Sequence, residues 1–121
     1  MTELKRQVDH LNELITSDRS LEAMELFYSN DVEMQENEDL PRKGKELCIE
    51  VEKLNLQKMT SVHYTLLNQA IDEERKVVFN EWQIQGMYKC DKKFLLIEVA
   101  VQQWRGTQII KEKFYYKNFQ S

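Results

Sequence analysis

KVVFNEWQIQGMY at 76–88, KKFLLIEVAVQQW at 92–104 and TQIIKEKFYY at 107–116 decide how this chain reads. Each segment is rich in β-branched and aromatic residues, and the breaks fall at Gly86 to Lys92 and at Arg105–Gly106. That pattern predicts three consecutive antiparallel strands. Glutamate and glutamine recur inside them, where a plain core strand would carry more valine. A polar stripe among apolar residues suggests a pocket rather than solid packing.

Working outward, Ser61 onward (VHYTLLNQAI) also has strand character, and Asp72 to Arg75 reads as the turn into the three-strand meander. Upstream the period is helical. Leu4, Val8, Leu11 and Ile15 predict a first helix over 3–15 with one apolar face. Thr16, Ser17 and Asp18 break it and offer caps for a second helix carrying Leu21, Met24, Phe27 and Tyr28. Ser29-Asn30-Asp31 has turn chemistry, and DVEMQE alternates as a short strand. After a polar loop with the only proline, Pro41, a third helix is expected from about Gly44, with Leu47, Val51 and Leu54 on one face and Cys48 beside them. The order is helix, helix, strand, helix, four strands, an α+β arrangement with helices on one side of a curved sheet. Residues 1–121 are expected to form a single domain.

Composition narrows the function classes. A net charge of −4 without a basic cluster argues against a nucleic-acid surface. Cys48 and Cys90 form no CxxC pair, which leaves no zinc or redox motif; free thiols are expected, with a disulfide left open. No apolar run reaches the ~20 residues of a membrane span. MTELKRQVDHLNEL is amphipathic and lacks a signal-peptide core, so a cytoplasmic location is the expectation. No cofactor is implied, and neither His10 nor His63 sits in a metal-ligand spacing.

Three stretches in this order, LFYSNDVEMQE (26–36), PRKGKEL (41–47) and VAVQQWRGTQIIKEKFYY (99–116), resemble the SnoaL-like domains of the nuclear transport factor 2-like superfamily. The resemblance implies a cone-shaped α+β barrel. Three N-terminal helices would pack on a strongly curved, mainly antiparallel sheet, with a pocket at the open end. Such proteins are commonly dimers, and they include polyketide cyclases, dehydratases, ketosteroid isomerase and members without known activity. The fold alone therefore selects no reaction.

Strand alternation turns that fold into candidate residues. Matching the last two strands to the family places Phe94, Leu96, Glu98, Ala100, Gln102 and Trp104 inside the cone, with Ile110, Glu112, Phe114 and Tyr116. If the preceding turn centres on Asp91–Lys92, Phe79, Glu81 and Gln83 also lie inside, and Val78, Trp82 and Ile84 outside. Crowded carboxylates in such a space would hold a proton above the ordinary range, the usual origin of general acids and bases. His63 is a further candidate acid or base, whereas Tyr64, Tyr88 and Tyr115 read as packing or rim residues.

Ketosteroid isomerase is the sharpest enzymatic comparison. Glu36 matches its basic residue at the end of the first strand, but its two oxyanion donors fall on Ala100 and Asn12. That activity is not expected. The expectation is a small-molecule-binding protein with Glu36, Glu98, Glu112 and His63 as candidate catalytic groups. The alternatives are an acid–base enzyme of the cyclase, isomerase or dehydratase type, and a dimeric interaction module with an unused pocket. A homodimer is expected through an outer face carrying Val78, Trp82, Ile84, Ile97, Val99 and Val101.

Overall fold

A computed structural model of the chain describes residues 1–117. Leu4, Val8 and Leu11, spaced along one helical face, are all buried, and α1 (Glu3–Thr16) forms around them. Thr2 caps it, its hydroxyl accepting from the Lys5 amide at 3.1 Å. After a left-handed residue at Asp18 (φ 60°), α2 (Ser20–Phe27) buries Ala23, Met24 and Phe27. None of Thr16, Ser17 and Asp18 caps α2; its N-cap is Arg19, which makes no side-chain cap bond.

The chain then runs through β1 (Tyr28–Glu36), β2 (Arg42–Lys43), α3 (Lys45–Gln57), β3 (Met59–Asp72), β4 (Val77–Tyr88), β5 (Lys93–Arg105) and β6 (Gln108–Tyr116). These strands form one sheet in the order β2-β1-β6-β5-β4-β3, so the sheet is open with β2 and β3 at its edges. All pairings are antiparallel except β1 with β6, which is parallel. The helices close on the sheet chiefly through α3 on β1 and β2 and through α1 on β3.

Four expectations change in the folded chain. Ser29 and Asn30 lie within β1 rather than ahead of it. Their turn chemistry survives as a register shift between Tyr28 and Glu33, and Ser29 Oγ donates to Asp31 at 2.8 Å. In α3 the buried residues are Cys48 and Ile49, while Leu47 and Leu54 are exposed. That helix packs on β1 and turns Val51, Glu52 and Asn55 toward the cone interior, which leaves the leucine stripe facing solvent.

The third change decides the site. The β4–β5 hairpin pairs Val77 with Gln103 and Met87 with Lys93, so it is symmetric about Cys90 and not about Asp91–Lys92. Asp91, at φ 66°, donates to the Tyr88 carbonyl at 2.9 Å, and Tyr88 donates to that of Lys92 at 2.9 Å. With this register Val78, Asn80, Trp82 and Ile84 face inward, and Phe79, Glu81 and Gln83 face outward. Glu81 accepts from Asn68 Nδ2 at 2.8 Å on that outer side, and Phe79 is 42% exposed. Val78, Trp82 and Ile84 therefore cannot form an outer docking face. The outer apolar residues are instead Phe79, Leu95, Ile97, Val99 and Val101.

The fourth is a bulge. Gln103 pairs with Lys111, but Trp104 pairs with Ile109, which leaves Ile110 as the extra residue. Ile109 rather than Ile110 is fully buried, beside Trp104, Val78 and Phe27 at the closed end of the cone. Each such buried side chain contributes about 1.5–3 kcal/mol of hydrophobic stabilisation. A second apolar cluster around Trp82, Ile84 and Ala100 lies further along the same inner face.

Candidate functional site

Between these clusters the inner sheet face and the three helices enclose a cavity of about 190 Å³. Leu11, Ile15, Met24, Trp82, Ile84 and Phe114 give it apolar and aromatic walls. Polar side chains reach it from Tyr28 and Glu36 on β1, Arg42 on β2, Glu52 on α3, Tyr64 on β3, Glu98 and Gln102 on β5 and Glu112 on β6.

Glu112 lies deepest and is fully partnered. The Tyr28 hydroxyl donates to its Oε1, and Gln102 Nε2 donates to its Oε2 at 2.7 Å. Gln102 is in turn held by Trp104, whose indole N–H donates to Oε1 at 3.1 Å. All four side chains are buried. Burial raises the Glu112 carboxyl to about 7, because loss of water outweighs the stabilising bonds from Tyr28 and Gln102. Burial, together with the Glu112 charge, drives the Tyr28 hydroxyl well above its ordinary value.

Glu98 is the opposite case. It sits directly across the sheet from Trp82 on one side and Tyr116 on the other, four residues along β5 from Gln102, roughly 13 Å by strand rise. It lines the cavity and has no hydrogen-bond or ion-pair partner among the described residues. Burial, then the charges of Glu112, Glu36 and Glu52, raise its carboxyl to about 8. Glu36 is balanced, its Oε2 lying 2.8 Å from Arg42 Nη1. Tyr64 meets Trp82 edge-on, ring centroids 6.1 Å apart, and burial raises its hydroxyl.

Of the residues singled out in the sequence, the fold brings Glu36, Glu98, Ala100, Gln102, Glu112 and Phe114 together around the cavity. Trp104 stands behind it and acts through Gln102. Tyr116 lies next to Glu98 in the sheet, partly buried, its hydroxyl pushed up to about 12 chiefly by burial. Phe79, Glu81 and Gln83 are outside, as the hairpin register requires. His63 is also outside: it is exposed, pairs with Gln85, and borders a shallow outer depression with Lys93 and Leu95. It cannot serve the interior as an acid or base.

Sequence reading missed Tyr28, Arg42, Glu52, Tyr64 and Trp82 as interior groups. Tyr28 closes the apolar stripe of the second helix, which signals burial but not its carboxylate partner. Among the described residues no three His, Cys, Asp or Glu side chains converge to hold a metal ion. No helix there is long and apolar enough to cross a membrane.

The chain has the SnoaL-like, nuclear transport factor 2-like fold. A nuclear transport factor 2-like protein of unknown function from Burkholderia pseudomallei K96243 superposes with a TM-score of 0.83 at 10% identity, covering 97% of this chain and 92% of that one. A structure from Jannaschia sp. CCS1 assigned to the SnoaL-like polyketide cyclases gives 0.81 at 8% identity, covering 97% and 90%. A protein of ketosteroid isomerase-like fold from Catenulispora acidiphila DSM 44928, solved in complex with trimethylamine, gives 0.75 at 18% identity, covering 92% and 85%. At such identities the likeness establishes the fold and assigns this chain neither reaction nor ligand. No protein-family model and no curated protein matches the sequence.

Proposed function

We propose that this chain binds a small organic molecule in the cone cavity, with Glu98 as its principal polar contact. The observation that carries this is Glu98 itself, a carboxyl without a hydrogen-bond or ion-pair partner among the described residues, lining a cavity of mixed aromatic, apolar and polar walls. Glu98 is half-buried, and a ligand that donates to a carboxyl left without a protein partner replaces the water it would displace with a hydrogen bond. An apolar cavity of about 150 Å³ admits benzene, so about 190 Å³ in this partly open cavity seats a single ring or a short branched chain, with the remainder of any larger ligand left toward solvent. A steroid or a multi-ring polyketide would not be enclosed.

Titration calorimetry with single-ring compounds tests this, using Ala100→Leu to fill the space between Asn80 and Phe114. Binding to the native chain and its loss in a variant with unchanged circular dichroism is the expected result. Equal binding by both would place the ligand elsewhere and end this reading.

Acid–base catalysis is the second reading, favoured by two carboxyls, Glu98 and Glu112, that change protonation near neutral pH. Solvent-deuterium exchange into the α-carbons of cyclohexanone, accelerated by the native chain and not by Glu98→Gln, would establish it. Absence of acceleration would confine the cavity to binding.

A further inference from the structure

The charge and shape of the cavity go beyond its size, and they bear on which ligand it takes. Among the described residues Arg42 is the only basic side chain lining it; its Nη1 lies 2.8 Å from Glu36 Oε2, while its Nε is buried without a hydrogen-bond partner. Both oxygens of Glu112 are occupied by Tyr28 and Gln102. What is left over is acidic: Glu98 on β5 and Glu52 on α3, neither with an ion-pair or hydrogen-bond partner among the described residues. Aromatic rings flank Glu98 from both neighbouring strands, Trp82 on β4 and Tyr116 on β6. The negative face of an aromatic ring attracts a cation, and a desolvated site strengthens that attraction.

We infer that the ligand of this cavity is a small organic cation, an amine protonated in solution, whose charge is taken up by Glu98 beside Trp82. This rests on the reading of the cavity as a binding site and adds the chemical class. An anionic ligand would meet the charge of Glu52 and make ionisation of Glu98 harder still, and the one guanidinium of the described lining already lies against Glu36. A neutral ligand would satisfy one hydrogen bond and leave the surrounding negative potential unopposed. An ammonium group answers both: it donates hydrogen bonds to Glu98 and cancels charge near Glu52.

The groups that set the protonation of Glu98 can be followed element by element. Glu112 and Tyr116 face it from β6, Glu36 and Tyr28 from β1, and Arg42 from β2. Glu52 and Cys48 face it from α3, and Tyr64 from β3. Loss of water on burial first, and then the carboxylates among them, disfavour a negative charge there, so the empty site holds Glu98 as the neutral acid near pH 7. A bound ammonium reverses that preference. The balance is Glu98 carboxylic acid plus ammonium giving carboxylate–ammonium pair plus one proton released to solvent. Affinity for a cation should therefore rise with pH until Glu98 ionises without help.

Three probes of nearly equal size make the test: benzylamine, benzyl alcohol and benzoate, titrated by calorimetry at pH 6–8 in buffers of different ionisation enthalpy. The expected result has benzylamine binding at least tenfold tighter than benzyl alcohol at pH 7.5, and benzoate not binding. About one proton should be released per benzylamine at pH 6.5, with affinity rising about tenfold per pH unit below pH 7.5. Glu98→Gln should lose both the cation preference and the proton release; should that variant not fold, the proton count of the native chain still decides. Benzyl alcohol binding as well as benzylamine, with no proton released, would overturn the cation inference and leave the binding site standing. If none of the three binds, both are wrong.

Discussion

Trp104 donates its indole N–H to Gln102 Oε1 at 3.1 Å, and that contact decides which way Gln102 faces Glu112. An indole nitrogen can only donate, so the amide oxygen must turn toward it and the amide nitrogen toward the carboxylate. Glu112 thus receives donors on both oxygens. When it takes up a proton, the Gln102 amide offers no acceptor, whereas the Tyr28 oxygen does. The Tyr28 hydroxyl hydrogen must then turn away from Glu112.

Gln102→Leu tests that arrangement. It removes one donor from a buried carboxyl and leaves both Glu112 Oε2 and the Trp104 N–H unpartnered. The expected cost is about 1–3 kcal/mol in denaturant unfolding, with the Glu112 titration moved to higher pH in carboxyl NMR. An unchanged titration would show that Gln102 does not hold the carboxylate.

Stability should fall as pH rises toward and past neutrality. Glu98 and Glu112 titrate at about 8 and about 7 in the folded chain, above the 4.5 of a free glutamate. Between pH 4.5 and these values the folded state binds more protons than the unfolded one. Stability from these groups is therefore fully present below about 4.5 and is lost through pH 7–8. Each pH unit crossed with one extra proton held costs about 1.4 kcal/mol. Thermal melts from pH 5 to 8.5 should show a declining midpoint, and Glu98→Gln should flatten it. A midpoint that climbs over pH 5–8 in the native chain but not in the variant would contradict the half-buried placement of Glu98 in the cavity wall.

The outer face should pair two chains. Phe79, Leu95 and Ile97 are 42%, 53% and 43% exposed there, with Val99 and Val101 between them. A contiguous apolar patch of this kind on a sheet is suited to a two-fold partner of the same sequence. We propose a homodimer, and Ile97→Lys should convert it to a monomer in sedimentation velocity at micromolar concentration without unfolding it. A native chain that sediments as a monomer would exclude this face as a self-interface.

The last two strands show how far the residues alone can be read. Glu98, Ala100 and Gln102 face inward together because side chains alternate within an unbroken strand, and a single anchor orients them all. The first helix was legible for the same reason: Leu4, Val8 and Leu11 repeat at the helical period and are buried as that repeat requires. Alternation gives no anchor across a turn. Whether Trp82 or Glu81 lines the cavity depends on backbone hydrogen bonds near Cys90 and on a left-handed Asp91, and KCDK does not dictate either. The bulge that exchanges Ile110 for Ile109 is equally silent in sequence. Tyr28 and Glu112 are 84 positions apart, and Glu52 meets the same cavity only when α3 packs on β1. Local periodicity determined the elements and which residues of a strand share a face; which face turns inward on β4 and α3, and with it the site, arose from register and helix docking, which are set by contacts between residues distant in the chain.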